Sequence, residues 1–144
     1  MKLFYLTVIT CLTAATALPQ APTLQSLKGT YVFTQQGKVQ NDQLVSGLGV
    51  MTLDGNGNVT CNESLQFPGA NLFSNCSGKY YTNADGSGSI EILYDASFAS
   101  DGSVDSAPPI STAKFTFYPV SGGKQLKGIR TENGVFIIAS FEKY

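Results

Sequence analysis

The amino-acid sequence predicts an all-β protein, a single eight-stranded antiparallel up-and-down barrel. Three observations lead there. Most of the chain reads as segments in which apolar and polar residues alternate with a period of two. The breaks between segments are short and rich in Gly and Asn, the residues that tolerate the positive φ of tight hairpin turns. Apolar residues at helical spacing are confined to a single possible turn over Leu24 to Lys28.

In chain order, the expected strands are Thr30 to Gln36, Leu44 to Asp54, Asn58 to Phe67, Cys76 to Asn83, Ser87 to Asp95, Thr112 to Tyr118, Lys124 to Thr131 and Val135 to Glu142. Between them lie "DGNGN" (54–58), "FPGANLFSN" (67–75), "NADGSG" (83–88), "VSGGK" (120–124) and "ENG" (132–134). Short connectors make successive strands antiparallel neighbours, and closing them into a barrel removes the exposed edges an open sheet would leave. A sandwich with Greek-key crossovers needs several long connections. Only one is present, "SFASDGSVDSAPP" (97–109), which reads as a flexible insertion or as a lid over one barrel end.

The ends of the chain speak to compartment. "MKLFYLTVITCLTAATALPQAP" has one basic residue, an apolar run from Leu3 to Leu12 and small residues around Ala15 and Ala17, the layout of a secretory signal peptide cut after Ala17. That run is too short to anchor the chain in a bilayer. Of the 144 residues, 127 would remain, enough for one domain: a leader over 18–29 and a barrel over 30–144. Losing Lys2 leaves eight basic residues against ten acidic ones, a net charge of −2, with no basic cluster for nucleic acid or an anionic membrane. Losing Cys11 leaves Cys61 and Cys76, for which a disulfide is the default in an oxidising compartment, two free buried thiols being the alternative. Three sequons, at Asn58, Asn62 and Asn75, fit a secreted glycoprotein.

The chain contains no histidine, which removes Ser-His-Asp and Cys-His nucleophiles and His-ligated metals; with both mature cysteines bonded, no thiolate metal site remains either. No metal or other cofactor is expected. A hydrolase ranks last, since no acid pair stands out.

The candidate chemistry centres on "NVTCNESLQF" (58–67), where Val59, Cys61, Leu65 and Phe67 share one face and Glu63 shares it with them. Asn58 and Asn62 occupy the opposite face, which must point to water if it carries glycans. Glu63 then points inward, where loss of water should raise its pKa and suit it to acid or base work. The alternative is a bulge or a rim position that lets it reach solvent. Tyr80 and Tyr94 are expected inward as hydroxyl donors beside it; Tyr31, Phe33, Phe115 and Phe117 would line the interior as core or as a ligand-binding wall. Arg130 could clamp a carboxylate if it faces in, but its neighbour Ile129 is the larger hydrophobe, which favours Arg130 outside. "GVFIIASF" is apolar on both faces from Val135 to Ile138, so something should cover its outside: the leader, a partner protein or a second copy in a homodimer.

At "LQSLKGTYVF", a short turn leading into Gly29-x-Tyr31 at the start of the first strand, the chain resembles the lipocalin-like, or calycin, barrels, including the small allene-oxide-cyclase-like ones. The family's usual Trp is Tyr31 here, and Arg130 lies one strand before the position of the family's basic residue. The resemblance implies carriage of a small hydrophobic molecule, or its cofactor-free cyclisation or isomerisation. Set against this is a different class, a non-catalytic secreted interaction protein, an effector or surface component with a solid barrel.

Overall fold

A computed structural model describes residues 21–39, 42–99, 112–132 and 134–144. The expected signal peptide and residues 100–109 of the long connection lie outside the described residues. Eight strands follow one another: β1 (Gly29–Val39), β2 (Gln43–Leu53), β3 (Asn58–Phe67), β4 (Ala70–Thr82), β5 (Gly88–Ala99), β6 (Thr112–Val120), β7 (Gln125–Glu132) and β8 (Val135–Lys143). Each pairs antiparallel with the next, and β8 returns to pair with β1 from Tyr31 opposite Lys143 to Lys38 opposite Phe136. The barrel is closed and up-and-down, as the sequence predicts.

Two elements differ most from expectation. Strand β4 starts at Ala70 rather than Cys76, and pairs with β3 along its whole length to Phe67 opposite Ala70. Within "FPGANLFSN" only Pro68-Gly69 turns: Pro supplies the fixed negative φ of the first corner and Gly69 the positive one, φ 84°. Strand β5 runs on to Ala99, and its register against β4 slips between Asn75, which faces Ala96, and Cys76, which faces Tyr94. Such a bulge bends the strand and re-aims the side chains beyond it.

The period-two pattern sorts the two faces. Tyr31, Phe33, Met51, Val59, Ile90, Phe117, Leu126 and Phe141 are buried inside, while Lys79, Lys114 and Lys127 stand on the exposed outer wall. Among the described residues no helix is long and apolar enough to cross a membrane.

One end of the barrel is stoppered by the turn before β1. Leu27 is fully buried there. The Tyr31 hydroxyl points at two carbonyl oxygens, Leu27 at 2.8 Å and Gly123 at 3.1 Å, and burial pushes its pKa up to about 12. The Tyr80 hydroxyl donates to the Leu24 carbonyl at 3.0 Å and accepts the Gly55 N–H at 2.9 Å. These bonds tie the leader to the β2–β3 and β6–β7 connections. Tyr31→Phe, which orphans the buried carbonyls, should cost about 1–3 kcal/mol in a denaturant titration; an unchanged midpoint would mean that the stopper adds nothing to folding.

Candidate functional site

Above the stopper the interior has two levels. Nearest is an aromatic layer: Phe33 and Phe141 have ring centroids 5.5 Å apart, and Phe115 meets Phe141 edge-on at 6.4 Å. Gly49 makes room for it, because a Cβ at that position would stand 2.7 Å from the Phe33 ring and 2.4 Å from the Asn62 carbonyl. Phe117 lies towards the stoppered end, opposite Gly88 and Gly128.

Beyond this layer, towards the end framed by Val39, Phe67, Thr112 and Glu132, the inward positions turn polar. Gln35 of β1, Glu63 of β3, Ser74 of β4 and Arg130 of β7 are buried, and Tyr94 of β5 joins them. Glu63 faces Gly49 on one side and Ser74 on the other, and Arg130 faces Ile137. Two residues along from Glu63, Cys61 and Cys76 are direct cross-strand partners joined by a disulfide with Cα atoms 4.9 Å apart, inside the usual range for such a bond. The disulfide thus fastens β3 to β4 immediately beneath the polar layer.

Glu63 is 5% exposed. Its Oε2 accepts the Gln35 Nε2–H at 3.0 Å, and its Oε1 has no hydrogen-bond partner. Burial raises its pKa to about 7, against the opposing pull of the Tyr94 hydroxyl, the positive charge of Arg130 and the Gln35 amide. Tyr94 responds in kind, its phenol pushed far up by burial and then by the negative charge of Glu63. At neutral pH the carboxyl is therefore poised between donor and acceptor, beside a phenol that keeps its proton.

Arg130 corrects the expectation that Ile129 would take the inside: Arg130 is 3% exposed and Ile129 39%. Ranking by hydrophobicity failed because the guanidinium finds partners where the wall ends. Its Nη2 donates to the Thr112 carbonyl at 3.3 Å and to Glu132 Oε2 at 3.0 Å, and Glu132 also accepts the Lys114 backbone N–H at 3.0 Å. Arg130 Nε, also buried, has no partner. Arg130 and Glu63 make no ion-pair contact, although the charge of Arg130 acts on Glu63.

Of the residues singled out in the sequence, the fold brings Glu63, Tyr94 and Arg130 together, with Phe33 and Phe115 in the layer beneath. Tyr31 and Tyr80 are inside but at the stoppered end, their hydroxyls engaged by backbone groups. Gln35 was overlooked, although the alternation that puts Tyr31 and Phe33 inside reaches it at the next inward step; Phe141 follows in the same way from Ile137 and Ala139. Asn58, Asn62 and Asn75 stand on the exposed outer wall. No protein-family model, no curated protein and no solved structure matches this chain, so its likeness to the lipocalin-like barrels is one of architecture: eight antiparallel strands, closed.

Proposed function

We propose that this barrel is a secretory-pathway protein that binds one small hydrophobic molecule bearing a polar group, seated above the aromatic layer with that group towards Glu63 and Arg130. The observation that carries this reading is the pair of buried orphan atoms in one polar layer, the acceptor Glu63 Oε1 and the donor Arg130 Nε. Burying either without a partner costs roughly 1–3 kcal/mol, more for a charged group, and a ligand supplying one donor and one acceptor would satisfy both. Phe33 and Phe115 supply an apolar floor. A carboxyl that titrates near neutrality beside a protonated phenol also suits proton transfer. Cofactor-free isomerisation or cyclisation, with Glu63 as acid or base and Tyr94 as donor to developing negative charge, is the catalytic form of the proposal.

A second reading, a non-catalytic interaction protein, is favoured by a different observation. Leu44, Phe136 and Ile138 are exposed around a groove of about 620 Å³ on the outer wall, with Phe67 and Pro68 at its margin. The leader stoppers the barrel end instead of covering this face, which leaves it for a partner or a second copy. Native mass spectrometry of protein purified from its own source separates the two. The ligand reading expects one small molecule retained per chain and its loss in Glu63→Gln; a bare chain, or a bare homodimer, favours the interaction protein.

A further inference from the structure

The outer wall carries a second apolar groove, of about 400 Å³, with sequon asparagines in its lining. Two cross-strand rows build it. Val32, Val50, Asn62 and Asn75 face one another in turn across β1 to β4, and beside them run Thr34, Leu48, Ser64 and Phe73. Val32, Leu48, Val50 and Phe73 are each more than two-fifths exposed, and together with Asn62, Ser64 and Asn75 they line the groove. An apolar patch of this kind on a soluble wall invites association unless something lies over it. Asn62 sits in the middle of its row, next to Val50, and donates through Nδ2 to Asn75 Oδ1. Two of the three sequon asparagines, Asn62 and Asn75, are therefore part of the groove's own lining, and of the two only Asn62 lies directly beside Val50.

We propose that Asn62 carries an N-linked glycan whose first sugars lie in this groove, their C–H faces against Val50, Leu48 and Phe73. The inference rests on the secretory reading, because only a translocated chain meets the transferase. A pyranose presents an apolar face as well as hydroxyls, so it covers such a groove while keeping its outer surface wet. The groove thus has an occupant built into the chain, attached at Asn62 and laid across β2 and β4. Asn58 lies outside the groove lining, and a glycan there would project from exposed wall.

The test uses the full chain, secreted by a eukaryotic host with its own leader. Glycopeptide mass spectrometry should find Asn62 occupied. Enzymatic removal of the sugar should raise binding of the apolar-surface dye anilinonaphthalene sulfonate severalfold, and Leu48→Ser with Phe73→Ser should cancel that rise. Asn62→Gln and Ser64→Ala each destroy the sequon, and Ser64→Ala keeps the Asn62 side chain that bonds Asn75; both should mimic enzymatic removal while retaining a cooperative thermal transition. Dye binding that ignores loss of the sugar would overturn the proposal. A bare Asn62 beside an occupied Asn58 or Asn75 would overturn it while leaving the secretory reading intact, and a chain with no sugar at any sequon would overturn both.

Discussion

Replacing Glu63 by glutamine should remove most of the pH dependence of unfolding between about pH 4.5 and pH 8. In the folded protein burial raises this carboxyl from its ordinary 4.5 to about 7. Over that interval the folded chain holds a proton that the unfolded chain has released, so stability falls as pH rises. The parent is at its best, with respect to this group, below the unfolded pKa, and loses roughly 3 kcal/mol once pH passes the folded one. Glutamine has nearly the same shape, still accepts from Gln35 and carries no charge to bury. The variant should therefore match the parent in acid and exceed it at pH 8, with a Tm advantage on the order of 10 °C for a domain of this size. Retained ligand should move the opposite way. A parent and a variant with parallel stability profiles would mean that the Glu63 carboxyl is hydrated in the folded chain.

The other large effect concerns the cross-link. Replacing Cys61 and Cys76 together by alanine opens a loop of 15 residues, whose closure is worth about 3 kcal/mol in the chain-entropy model. The bond joins strands already paired, so its loss leaves the topology intact and acts mainly by freeing the unfolded chain. The double variant and the reduced parent should unfold at the same lowered denaturant concentration, well below the oxidised parent. An alanine variant as stable as the oxidised parent would show that the disulfide contributes nothing to stability.

How far the sequence could be read depended on whether the deciding interactions were local. Strand β3 was legible to the residue, since "NVTCNESLQF" alternates, but for Glu63, between a Gly-Asn turn and a Pro-Gly turn. The inward direction of Glu63 followed from the same alternation, supported by the sequons on the opposite face. The start of β4 was lost because Pro, Gly and Asn crowd together in "FPGANLFSN"; only Pro68 and Gly69 bend the chain, while Asn71, Phe73 and Asn75 are ordinary outward positions. Arg130 was misread for a different reason. Its partners, Thr112 and Glu132, depend on how β6 and β7 end, which no window around residue 130 reveals. Tyr31 and Tyr80 were rightly turned inward, yet their hydroxyls find carbonyls of the leader rather than a ligand. Tyr80 and Leu24 stand 56 residues apart, a pairing that only the closed barrel creates.

The interior site depends on the surroundings of one carboxyl group, and carbon-13 NMR titration of the Glu63 side chain in the ligand-free protein reads them directly. A midpoint near 7 is the expected result: a carboxyl enclosed between the aromatic layer and Arg130, able to give or take a proton at neutral pH. A midpoint near 4.5 would place Glu63 in water and contradict the interior site.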